Sequence, residues 1–169
     1  MSLRVLVFGS RDWDDPAAIH AVLDGLYTEA TAGHLSVELA TFTVIEGGAK
    51  GADAAAAWWA GHSPMHSHNE HPDDPTFGHL QFPADWPPKG SPRWLYATAA
   101  HDRNQRMVTE GRPDIGWGFV TRPLPESRGS ADMARRLQAA LVPVYIVQRA
   151  PGRASQTQQQ GKTVRRVLL

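Results

Sequence analysis

Short apolar runs that end in small residues recur along this chain, and each is followed by a stretch with helical spacing. Residues 3–9, LRVLVFG, are rich in Val and Leu and close on a glycine. That composition suits a strand buried on both faces of a sheet. Pro16 behind Asp14 and Asp15 marks a helix start, because Pro fits the first helical position and Asp caps it. Ile19, Val22, Leu23 and Leu26 then fall one or two turns apart, so a helix is predicted over 16–30. The pattern repeats with a strand at 41–46 and a helix at 52–60, then a short strand at 79–82 and a helix at 96–110. A strand at 115–120, a helix at 130–141 and a strand at 143–147 complete it. Strands alternating with helices predict an α/β fold, a Rossmann-like three-layer sandwich around a mostly parallel sheet of about five strands.

At 169 residues the chain fits one domain. Residues 1–149 are assigned to it and 150–169 to a basic, low-complexity tail expected to be flexible. A connection at 61–92 holds seven Pro and five of the eight His. So long a loop inside a domain points to function or mobility. The absence of Cys excludes a thiol nucleophile and a Cys-based zinc site. No apolar run reaches the roughly 18 residues of a membrane span, and Met1-Ser2-Leu3-Arg4 has no signal-peptide pattern, so the expected compartment is cytoplasmic. The formal net charge is zero, but residues 148–169 carry five basic groups and no acid. The rest holds 12 basic and 17 acidic residues, unlike a general nucleic-acid binder.

In a sheet of this kind ligands bind beyond the carboxyl ends of the strands. Three loops there have unusual composition. Gly9-Ser10-Arg11 follows the first strand. Gly47-Gly48-Ala49-Lys50-Gly51-Ala52-Asp53 sets three glycines between a strand and a helix, where free helical N–H groups attract anions, so a phosphate cradle is expected. Ser127-Arg128-Gly129-Ser130 precedes the last helix and offers hydroxyl donors. Arg103, Asn104 and Met107 share a helix, with Arg103 and Met107 one turn apart on one face. Arg103 is expected to clamp a ligand phosphate, and Arg106 to face solvent. Trp13 and Trp86 are candidates for stacking on a base or covering the site, with core packing the plainer alternative. His62, His66, His68, His71 and His79 lack the helical spacing of a zinc motif, so no metal is expected.

Five motifs occur in order: Gly9-Ser10-Arg11-Asp12-Trp13, the Gly47–Asp53 loop, Pro83-Ala84-Asp85-Trp86, Arg103-Asn104-Gln105-Arg106-Met107, and Ser127–Met133. Together they resemble the YspA-like (cpYpsA-related) branch of the SLOG superfamily, distant relatives of the LOG phosphoribohydrolases and the DprA core. The resemblance covers roughly residues 3–147 and implies a site for a nucleotide or nucleotide derivative, in a protein often encoded by phages or mobile elements. It also implies a homo-oligomer, expected to be a dimer, for which the Ala-rich helix 52–60 offers an apolar face. LOG enzymes cleave the N-glycosidic bond of nucleoside monophosphates with an Arg and a Glu. Arg103 matches the Arg, but Met133 stands where the Glu would be, and a thioether cannot exchange a proton. A ligand-binding or sensor domain is therefore the first reading, with no obligatory cofactor, a nucleotide-like ligand and no membrane partner. An N-glycosidase or phosphoribohydrolase using Asp53, Asp132 or Asp85 is the alternative. A nucleic-acid or protein interaction module acting through the basic tail comes third.

Overall fold

The computed structural model describes residues 2–31, 41–62 and 77–149, with the backbone of 163–166. His66, His68, His71, the first half of the His/Pro-rich connection and most of the tail lie outside the described residues. Strand β1 (Ser2–Gly9) leads through α1 (Pro16–Thr31) to β2 (Thr41–Glu46), and α2 (Ala52–His62) precedes β3 (Phe77–Gln81). Helix α3 (Arg93–Thr109) returns the chain to β4 (Ile115–Val120), and α4 (Arg128–Ala139) leads to β5 (Val144–Gln148). The strand order is β3-β2-β1-β4-β5, all parallel, with β6 (Thr163–Arg166) antiparallel at the β5 edge. The expected Rossmann-like α/β sandwich is thus observed.

Alternation along the strands builds two cores. Val5, Val7, Phe42, Val44 and Phe119 face α1 and α2, where Ile19, Leu23, Ala56 and Trp59 close the layer. Leu6, Phe8, Ile45, Val120 and Ile146 face α3 and α4, against Met107, Val108, Met133 and Leu137. Val5, Leu6 and Val7 are wholly buried, as a central parallel strand requires. The Asp15 carboxylate accepts the Ala18 N–H at 3.1 Å, so Asp15 caps α1 ahead of Pro16.

Three features differ from the sequence reading. Strand β3 starts at Phe77, whose ring stacks on Phe42. Within the tail, Thr163–Arg166 pairs with β5 from Gln148 to Tyr145. The apolar face of α2 is consumed inside the domain: Ala52, Ala56, Trp59 and Ala60 are buried, and Trp59 donates to Asp24 at 2.7 Å. Trp58 projects outward, stacked between the His20 and His62 rings.

Candidate functional site

The strand order reverses between β1 and β4, and there the loops after the two strands diverge. A cleft of about 630 Å³ opens at their carboxyl ends. The β1 loop forms its floor: the Ser10 N–H donates to the Phe119 carbonyl at 2.8 Å, and the Ser10 hydroxyl oxygen accepts the Thr121 N–H at 3.1 Å. Gly9 is needed here because any Cβ would strike the Phe119 carbonyl. Gly9, Ser10, Arg11, Ala49, Asp53, Arg103, Asn104, Met107, Ser127, Gly129 and Ser130 all line the cleft. Gly47, Gly48, Gly51, Ala52 and Asp132 do not.

The glycine loop after β2 departs from the expected cradle. The Gly48 N–H donates to the Glu46 carboxylate, and the Ala49 N–H to Asp53 at 3.3 Å. The Ala52 N–H reaches the Ser10 carbonyl at 3.3 Å. These amides therefore serve acceptors of the chain itself. The glycines answer to close packing: Gly51 has φ +74° and abuts the Ser10 and Arg11 backbone, and Gly47 lies against the Arg103 guanidinium.

Arg103 is engaged in the same way. It donates to the Gly47 carbonyl, pairs with Asp53 at 3.5 Å, and donates from Nε to the Asn104 side chain at 3.1 Å. Arg103, expected from the sequence to clamp a ligand phosphate, lines the cleft and also brackets the β2–α2 loop. Burial pushes the Asp53 carboxyl up from 3.8 to about 6; Arg103 opposes the shift and nearby Glu46 adds to it. Glu46 is fully buried and faces His79 Nε2 at 3.2 Å. Sequence reading missed it. The available signal was a carboxylate closing an apolar strand, directly before the glycine pair.

Asn104 brackets the opposite loop, donating to the Gly129 carbonyl at 3.3 Å and to Asp132 at 3.0 Å. Asp132 also accepts from Arg136 Nε at 2.9 Å and faces His101 Nδ1 at 3.0 Å. Burial opposes its ionisation, but the hydrogen bonds from Arg136, Asn104 and His101 outweigh burial and hold the carboxyl below its ordinary range. Asp132, a candidate acid from the sequence, does not line the cleft and is held as an anion between α3 and α4. Asp85 is exposed and 3.9 Å from Arg106, which also pairs with Glu110.

The first turn of α4 is left open. It has no side-chain cap, and the N–H groups of Arg128, Gly129 and Ser130 have no acceptor among the described residues. Met133, one turn on, is buried against the α3–α4 core and borders the cleft. Across the cleft, exposed Trp86 stacks on Tyr96 with centroids 6.4 Å apart, and the Arg11 guanidinium sits 5.7 Å from the Trp86 ring. Trp13 is core, packed edge-on against Phe119. Arg93, Tyr96, Thr121, Arg122, Glu126 and Arg128 also line the cleft. Their positions are set by topology, which single motifs do not report. Among the described residues, no cluster of three or more metal-ligating side chains is present, and no helix is long and apolar enough to cross a membrane.

The fold defines a Rossmann-like α/β domain with a cleft at the carboxyl ends of its strands, where the strand order reverses. The family model described as "YspA, cpYpsA-related SLOG family" matches residues 3–87, and the chain belongs to that family. No curated protein and no solved structure matches it. The matched segment carries the β1 loop, the glycine loop and Trp86; Arg103 and the α4 turn lie beyond it.

Proposed function

We propose that the cleft binds a nucleotide or nucleotide derivative, with its base on Trp86 and a phosphate on the first turn of α4. The observation that carries this reading is the open α4 turn, three N–H groups with no acceptor among the described residues, beside a cleft that bears an exposed aromatic wall. An uncapped helix start favours an anion through both its donors and its dipole. Stacking on Trp86 contributes on the order of 1–3 kcal/mol and tolerates several bases. SLOG membership is consistent with this ligand class. One observation favours turnover as a second reading: Asp53 lines the cleft with a pKa of about 6, suited to a general acid.

Calorimetric titration with adenosine and guanosine monophosphates tests the proposal. Binding is expected, and Trp86→Ala weakens it about tenfold or more. Gly129→Ala is the sharper variant. A Cβ there meets no protein atom within 4 Å, so the fold stands and a lost affinity reports a ligand against the α4 turn. Absence of binding across the nucleotide panel overturns the reading. Release of free base in the same mixtures, lost in Asp53→Asn, establishes the second one.

A further inference from the structure

We infer that an anion entering the cleft brings a proton with it: Asp53 becomes protonated as the ligand binds, and the charge of Arg103 passes from Asp53 to the ligand. The inference deepens the nucleotide reading, on which it rests for the identity of the anion, by adding how the same site is regulated. Among the described residues, Arg103 and Asp53 form the one ion pair whose two partners both line the cleft. They stand 3.5 Å apart, with side chains only 13% and 6% exposed.

The pair is wired to the turn on which the anion is placed. Arg103 Nε donates to the Asn104 side chain at 3.1 Å, and Asn104 donates to the Gly129 carbonyl at 3.3 Å. Gly129 belongs to the open first turn of α4. Two side chains thus connect the Asp53 carboxyl to that turn. The Asp53 oxygen that faces Arg103 is Oδ2, which also accepts the Ala49 N–H at 3.3 Å. A proton on Oδ1 leaves both contacts in place, so the carboxyl is neutralised without rebuilding the glycine loop.

An anion on this turn is attracted by Arg103 and repelled by Asp53, and burial leaves little solvent to screen either effect. While Asp53 is ionised the pair is neutral as a unit. Once it is protonated, the repulsion is gone and the guanidinium charge is uncompensated. Burial has already raised this carboxyl to about 6, and Glu46 pushes in the same direction, against Arg103 and the N–H groups of Ala49 and Gly47. A bound anion adds to the push of Glu46. Glu46 closes β2, accepts the Gly48 N–H and faces His79 of β3 at 3.2 Å. Arg11, Asp12, Arg93, Arg122, Glu126 and Arg128 border the same cleft, and no histidine borders it among the described residues. Linkage is reciprocal, so an anion that favours protonated Asp53 binds tighter where Asp53 is protonated. At neutral pH the free protein has mostly released this proton and the complex holds it. Affinity therefore falls as pH rises from about 6 to about 8, by up to about tenfold per pH unit.

Calorimetric titration with adenosine 5′-monophosphate and with sulfate, in two buffers of different ionisation enthalpy at about pH 7, reads the protons directly. Sulfate keeps a fixed charge across this range, whereas the nucleotide phosphate titrates at about 6 itself, so sulfate gives the sign unmixed. Uptake of about half a proton or more per sulfate is expected. Asp53→Asn, a neutral replacement of the same shape, should take up none, and at about pH 8 it should bind sulfate about tenfold or more tighter than wild type. Wild-type sulfate affinity that is flat from about pH 6 to about pH 8, proton release, or uptake that persists in Asp53→Asn overturns the inference. Nucleotide binding alongside any of those results leaves the nucleotide reading standing. Proton-coupled sulfate binding without binding of adenosine or guanosine monophosphate overturns the nucleotide reading and leaves the coupling intact. Silence from both kinds of probe overturns both.

Discussion

Asp53 is the residue where the competing demands of this site meet. It is almost wholly buried, it accepts from the glycine loop, and its counter-charge Arg103 only partly offsets the cost of burial. The resulting carboxyl, raised from 3.8 to about 6, has a defined consequence for stability. Between those two values the folded chain holds a proton that the unfolded chain has released. Unfolding free energy therefore falls as pH rises through that window, and the cost is fully present above about 6. In Asp53→Asn this slope is absent. Urea denaturation of both proteins from about pH 4 to about pH 7 should show wild type losing on the order of 2–3 kcal/mol relative to the variant. Groups remote from Asp53 are common to the two proteins and cancel in the difference. Parallel profiles would show that Asp53 titrates as an ordinary carboxyl and remove the argument for its acid role.

Helix α3 acts as a bracket between two loops that the sheet alone would leave apart. Two consecutive residues hold one loop each. Arg103 fastens the β2–α2 loop through Gly47 and Asp53, and Asn104 fastens the start of α4 through Gly129 and Asp132. Truncating Arg103 leaves Asp53 beside Glu46 without its cation, so Arg103→Ala should cost on the order of 3 kcal/mol. Arg103→Lys recovers only part, because an ammonium cannot serve the carbonyl, the carboxylate and Asn104 in one plane. In a double-mutant cycle with Asp53→Ala the losses should fall short of additivity by roughly 1 kcal/mol or more, and strict additivity would deny the bracket. The sequence told of the helix and of Arg103 and Met107 on one face, since helical spacing is local. It did not show the pairing of the arginine with Gly47 and Asp53, because spacing cannot show which acceptors the neighbouring loop presents. Glu46 escaped notice for the same reason: its burial comes from β3 and α2, not from the run TFTVIE.

At the scale of the molecule, alternation of strand and helix made the parallel sheet and its ligand edge legible, because each element carries its own period. The convergence of Arg11, Arg93, Arg122 and Arg128 was not legible, since they come from four separate segments gathered by the strand order. Strand β6 was not legible either. Its four residues, TVRR, carry no alternation and take their register from β5. That borrowed strand has a measurable role. Residues Tyr145–Gln148 of β5 otherwise form an open edge, with backbone N–H and C=O groups ready to pair with another chain. Ending the protein at Arg149 should lower its unfolding free energy by about 1–3 kcal/mol, through lost ladder hydrogen bonds of roughly 0.5–1.5 kcal/mol each. It should also produce concentration-dependent association in light scattering. Charge works against that second outcome, which makes it diagnostic. Removing Arg153, Lys162, Arg165 and Arg166 takes the formal net charge from zero to −4, and added net charge favours solubility. Association despite that repulsion points to the exposed β5 edge. A truncated chain with wild-type stability and an unchanged mass would mean that β6 does not protect it.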